Sequence, residues 1–140
     1  MREFLVVRAG ERRVGLPIEH LVEVLELGDT RPVPSLEPAL RGVTHVRGRM
    51  VPVLHLGALL AGAPCPAEAS GTCVLTVVGG RRLCLEVDDA ESVTRAETIA
   101  VPPEAALAWA AALVRLPEGM APLLDLPAVA ARLMETGIER

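Results

Sequence analysis

Apolar and polar residues alternate along most of this chain with the period of strands. Residues 3–8 and 13–18 are two β-rich runs joined by Gly10-Glu11-Arg12. In the second, Val14, Leu16 and Ile18 fall on one face, as in a half-buried strand. A third run, Leu21–Leu27, sets Leu21, Glu23 and Leu25 on one face and Val22, Val24 and Glu26 on the other. Pro32 and Pro34 then exclude both helix and central strand. Val43–Val46 and Met50–Leu54 flank Arg47-Gly48-Arg49, a hairpin in which Gly48 supplies the turn geometry. His55–Leu60 suits a short helix, and the Gly-, Pro-, Ala- and Ser-bearing stretch from Ala61 to Gly71 reads as a linker.

The pattern then starts again. Thr72–Val78 and Arg82–Val87 are strands about a Gly79-Gly80 turn, and Ala90–Thr94 is a shorter run ended by Val101, Pro102 and Pro103. Ala105–Ala112 favours helix by propensity. Leu113–Leu116 and Met120–Leu124 flank Pro117-Glu118-Gly119, another turn. Pro127–Thr136 is a terminal helix with proline in its first turn and Gly137 at its end.

The second half echoes the first. Arg12-Arg13-Val14 and Arg81-Arg82-Leu83 are 69 residues apart, and at that offset Leu16 meets Leu85, Ile18 meets Val87 and Val24 meets Val93. Pro52-Val53-Leu54-His55-Leu56 and Pro122-Leu123-Leu124-Asp125-Leu126 are 70 apart. The near-constant offset predicts an all-β chain of two related units of about five strands each. They span 1–61 and 72–126, with a linker over 62–71 and a C-terminal helix over 127–136. Such units are small, so they are expected to pack together, with a groove between them as the binding surface.

Composition narrows the chemistry. The 140 residues are 51% hydrophobic and 23% charged, which suits one core-forming domain rather than a disordered chain. Lys, Asn, Gln and Tyr are absent, and Phe4 and Trp109 are the whole aromatic complement. Without lysine there is no Schiff base and no phosphate-loop lysine. A net charge of −4, scattered arginines and missing stacking platforms argue against nucleic acid. No run reads as a signal peptide or a membrane span, so the expected location is the cytoplasm. Cys65, Cys73 and Cys84 make an odd set without regular spacing, which fits a reducing compartment and no disulfide framework. Cys65, between Pro64 and Pro66, reads as an exposed and passive loop thiol.

Catalysis has no visible seat. Ser35, Ser70 and Ser92 lack a nucleophile-elbow context. His20, His45 and His55 begin no metalloprotease pattern, and no paired-Cys or paired-His spacing signals zinc. Asp88-Asp89 follows a strand, where turn and capping carboxylates are common. Gly79-Gly80 has neither a following helix nor a lysine and is a turn, not a phosphate cradle. No metal, no cofactor and no enzymatic activity are expected.

One stretch is specific. Leu40 through Leu56, with Gly42-Val43, His45-Val46-Arg47-Gly48, Val51-Pro52-Val53 and His55-Leu56, resembles the signature of the CheW family. Leu16-Pro17-Ile18, Val22-Glu23-Val24, Val33-Pro34, Leu85-Glu86-Val87-Asp88, Ser92-Val93 and Leu123-Leu124-Asp125-Leu126 follow the family's order over nearly the whole chain. The resemblance implies two SH3-like β-barrels about a shared hydrophobic interface. It implies a non-enzymatic adaptor that couples chemoreceptor tips to a CheA-type histidine kinase. The alternative is a divergent CheW-like regulatory module of a non-flagellar pathway that has lost one of these partners. His45, His55, Cys84, Glu86 and Ala112 depart from the family's usual Asn, Asp, Gly, apolar residue and Gly.

By the same resemblance, the partner-binding residues are Arg47, Gly48, Glu23, Gly42 and Leu21. Two readings of them stay open. In one they line the receptor groove. In the other Gly42 and Gly48 permit backbone geometry, Glu23 pairs with Arg47 to hold the sheet, and Leu21 is plain core.

Overall fold

A computed structural model describes residues 1–102 and 109–135. In chain order the elements are β1 (Arg2–Ala9), β2 (Arg12–Pro17), a 3-10 turn (Ile18–His20), β3 (Leu21–Glu26), β4 (Thr30–Arg31), β5 (Leu40–Val46), β6 (Arg49–His55) and α1 (Leu56–Ala61). There follow β7 (Thr72–Val78), β8 (Arg81–Val87), β9 (Asp89–Ala96), β10 (Thr98–Ile99), β11 (Ala110–Leu116), β12 (Gly119–Leu124) and α2 (Leu126–Glu135).

The strands form two six-stranded sheets. One runs β10-β11-β12-β2-β1-β9, and the other β4-β5-β6-β8-β7-β3. The two orders are the same once each strand is advanced by six, so the sequence echo is a structural repeat. In each sheet the outermost strands are neighbours in sequence. Only Glu97 separates β9 from β10, and three residues separate β3 from β4. A sheet whose two edges are joined by so short a link must curl upon itself, and each is a small barrel. The sixth strand, beyond the five expected, is the two-residue β4 or β10.

The sheets cut across the halves 1–61 and 72–126. Each half sends its first hairpin into the other half's barrel: β1–β2 joins β9–β12, and β7–β8 joins β3–β6. The joints are parallel pairings, Leu123 to Gly15 and Val53-Leu54-His55 to Cys84-Leu85-Glu86. The physical reason lies in the burial of these hairpins on both faces. Phe4 and Val6 fill one barrel with Val114, Leu116 and Leu123. The alternate residues, Leu5, Val7 and Ala9, enter a central core with Leu16, Val74, Leu85, Leu124 and Leu126. β7 and β8 do the same, with Cys73, Leu75 and Cys84 inside the second barrel and Val74, Leu83 and Leu85 in the centre. A hairpin apolar on two faces cannot finish one small barrel alone, and exchange covers its second face.

Interior volume explains one departure from the family pattern. Phe4 and Gly15 lie in one barrel where Cys73 and Cys84 lie in the other, each pair at the 69-residue offset. A Cβ on Gly15 would meet the Phe4 ring at 2.8 Å. Where the ring is replaced by Cys73, a side chain at position 84 has room. The Cys73 thiol is pushed well up by its hydrogen bond to Cys84 and by burial, so it stays protonated. Cys65 is half-buried rather than exposed, and burial raises its thiol as well.

The helix expected over Ala105–Ala112 is corrected. Ala110–Ala112 belong to β11, paired with Leu123 and Leu124 of β12, and 105–108 lie outside the described residues. Alanine's helical preference is a few tenths of a kcal/mol per residue and yields to the ladder. The terminal helix is present from Leu126 to Glu135, with Thr136 and Gly137 beyond the described residues.

Candidate functional site

The β5–β6 hairpin turns on Arg47 and Gly48, with φ of +50° and +79°. Two consecutive positive φ angles define the tight turn whose twist matches paired strands. Gly48 adopts this freely, and a Cβ there would meet nothing within 4 Å. Arg47 adopts it at a small cost and in return stands at the tip of the hairpin.

From there its guanidinium reaches β3. Nε donates to Glu23 Oε2 at 2.5 Å and a terminal nitrogen to Oε1 at 2.8 Å, a two-pronged ion pair. The Arg47 side chain remains 71% exposed and that of Glu23 28%. The hydrogen bonds from Arg47 hold the Glu23 carboxyl below its usual range. The pair is therefore intact at neutral pH and is lost only as pH falls through that lowered value.

Glu23 is flanked by bare apolar residues. β3 alternates half-buried and exposed positions, so Val22 and Val24 project outward at 52% and 47% exposure. β3 also ends its sheet in the strand order. The pre-oriented guanidinium held by Glu23 on one face of β3, with two exposed valines on the other, gives a strand at the end of its sheet a planar donor group and apolar surface, both suited to docking a protein. Sequence reasoning placed Val22 and Val24 on the face opposite Glu23 but did not nominate them. The alternation itself was the available signal.

The other nominated residues are placed differently. Leu21 is half-buried and packs on the central core. Gly42 has φ +149°, and a Cβ on it would sit 2.1 Å from the Arg31 carbonyl oxygen in β4. Its geometry serves the close approach of β4 to β5. Thus the structure joins Glu23 to Arg47, gives Gly48 the turn, and puts Leu21 and Gly42 in supporting positions.

His55 is the N-cap of α1. Its Nδ1 accepts from the Ala58 N–H at 3.0 Å, and the corresponding Asp125 Oδ1 accepts from Ala128 N–H at 3.1 Å. The helix start asks for an acceptor at this spot, which imidazole and carboxylate both provide. His55→Asp is expected to fold with stability within about 1 kcal/mol of the parent, while His55→Ala loses about 1 kcal/mol by urea titration. Asp88 Oδ2 accepts from Gly10 N–H at 2.6 Å and secures the β1–β2 turn. Among the described residues no three His, Cys, Asp or Glu side chains come together as a metal site, and no helix is long and apolar enough to cross a membrane.

A second ion pair escaped the sequence reading. Glu86 is fully buried, and its carboxylate accepts from Arg41 Nε at 2.6 Å, from an Arg41 terminal nitrogen at 3.0 Å and from Ser70 N–H at 2.7 Å. Arg41 also donates to the carbonyls of Ala67 and Glu68, so the pair ties the 62–71 segment to the second barrel. Hydrogen bonding to Glu86 raises the Arg41 guanidinium further.

Comparison with known proteins agrees with this architecture. A solved structure described as scaffolding protein TtCheW, from Thermoanaerobacter tengcongensis, superimposes with a TM-score of 0.77 at 18% identity, over 89% of this chain and 84% of that one. Protein FrzA of Myxococcus xanthus is 42% identical over 55 residues, which are 39% of this chain and 34% of that protein. The chain thus matches about a third of the length of this curated relative. The profile of the CheW-like domain matches residues 3–134, nearly the whole chain. The chain belongs to the family of CheW-like domains.

Proposed function

We propose that this chain is a cytoplasmic adaptor that couples the cytoplasmic tips of chemoreceptors to a CheA-type histidine kinase, with the Glu23–Arg47 pair at its docking surface. The observation that carries this reading is the exposed, two-pronged Glu23–Arg47 pair on a strand that ends its sheet and turns Val22 and Val24 outward on its other face. An exposed pair of this kind adds little to folding, so its fixed geometry is available for recognition. The family membership supports the scaffold role, and the exposed, pre-oriented pair supports this patch as the surface that serves it. The chain itself performs no chemistry in this account; it alters the kinase's output by holding kinase and receptor together.

Arg47→Ala is the test of the patch. It removes the planar donor group and frees Glu23 but touches no core contact. Its melting transition should stay near that of the parent. Affinity for the cognate kinase or receptor fragment should fall roughly 10- to 100-fold, the loss typical of an interface anchor. A protein that melts much earlier, yet binds fully when folded, makes Arg47 a structural residue and sinks the assignment.

A further inference from the structure

The fold repeat places two clefts at corresponding ends of the barrels, and they differ in charge. In the second barrel a cleft of about 380 Å³ lies between the β5–β6 hairpin, the β7–β8 turn and α2. Its floor is apolar, from Val43, Met50, Pro52, Leu83 and, on α2, Ala130 and Leu133. Arg49, Arg81 and Arg82 stand around it, all exposed. In the first barrel the matching cleft has Arg12, Arg13, Met120 and Pro122 where this one has Arg81, Arg82, Met50 and Pro52.

The acids differ. In the first barrel Arg13 is taken up by Glu91 at 2.8 Å and Glu118 at 3.4 Å, and Glu11 stands beside it. At the 69- and 70-residue offsets the second barrel has Val22, Gly48 and Gly80 in place of Glu91, Glu118 and Glu11. The match is structural as well as numerical. Glu91 is the residue skipped where the β1–β9 pairing shifts register, and Val22 is the one skipped where β3–β7 shifts. Arg82 thus stands where Arg13 stands, with all three acids gone, and among the described residues neither Arg82 nor Arg49 forms an ion pair. This happens on a chain of net charge −4.

We infer that this cleft docks an acidic segment of a partner protein that carries at least one apolar side chain: the apolar residue on the Met50–Leu133 floor, the carboxylates on Arg49 and Arg82. The partner then supplies the charges that Glu91, Glu118 and Glu11 supply internally in the first barrel. Like charges in an arginine-lined cleft reject basic segments, so the site selects by sign. The inference does not rest on the Glu23–Arg47 surface, which adjoins the cleft at Val22 and Gly48.

The test is selection from a displayed random-peptide library against the intact protein at low salt. Enriched peptides should cluster Asp and Glu about an apolar residue and lose affinity as salt rises. The double variant Arg49→Glu with Arg82→Glu should bind them at least about tenfold more weakly. Arg12→Glu, in the other cleft, should bind them as the parent does. Arg49→Gln with Arg82→Gln serves if charge reversal upsets folding, and melting is recorded for each. Enrichment of neutral or basic peptides, or equal binding by the double variant, overturns the inference. So does a concentration-dependent dimer of the parent that the double variant abolishes, since a second copy would then fill the cleft.

Discussion

Arg41→Ala should cost about 3–5 kcal/mol of folding free energy, among the largest effects of any single substitution in this chain. The substitution leaves the Glu86 carboxylate fully buried with one donor, Ser70 N–H, in place of three. It also frees the carbonyls of Ala67 and Glu68, so the 62–71 segment loses its tether. An uncompensated buried charge is the mechanism, and loss of attraction is the smaller part. The control is the double substitution Arg41→Leu with Glu86→Leu, which removes both charges. It should recover much of the loss, because buried pairs are often replaceable by apolar residues of similar volume. Urea titration of the parent, the single and the double variant reads both effects. A single variant within about 1 kcal/mol of the parent would mean that water reaches Glu86 and the pair is not structural.

Gly42→Ala should destabilise by about 3 kcal/mol, from two causes that act together. A φ of +149° is a region that side-chain-bearing residues rarely adopt, and the new Cβ meets the Arg31 carbonyl oxygen at 2.1 Å, with backbone that cannot swing aside. The β4–β5 pairing of Thr30 with Thr44 and Arg31 with Val43 has to open. This result separates the two readings of the glycine. If Gly42 is structural, partner affinity measured on the folded fraction stays at the parent's value. If Gly42→Ala folds normally but no longer binds, the glycine belongs to the docking surface.

The sequence made the fold legible where burial has a period. Val22 against Glu23 announces its face because a strand exposes alternate residues to different surroundings. β2 does not, since Val14 to Pro17 are all buried and Ile18, expected on the same strand face as Val14 and Leu16, is exposed in the 3-10 turn that follows. The 69-residue echo announced the repeat. What it could not announce was the exchange of hairpins, because Leu5 and Phe4 are both simply apolar. Which of two cores each enters is decided by partners remote in sequence. Ala110–Ala112 failed for a related reason: local propensity is weak, and a neighbouring strand overrode it. At the site, Glu23 and Arg47 were legible together because a hairpin tip and a nearby strand bring opposite charges within reach. Arg41–Glu86 was not, since Glu86 looked only like a misplaced charge on an apolar strand. Its partner lies 45 residues away, and its third donor is a backbone N–H whose position no side-chain pattern encodes.

The most direct measurement is sedimentation of the intact chain mixed with the cognate CheA-type kinase and a soluble cytoplasmic fragment of the cognate receptor. The account predicts a single species containing all three, and its loss when Arg47→Ala replaces the parent chain at unchanged folding. Partners that sediment together without the chain, or a chain that stays free of both, would contradict it.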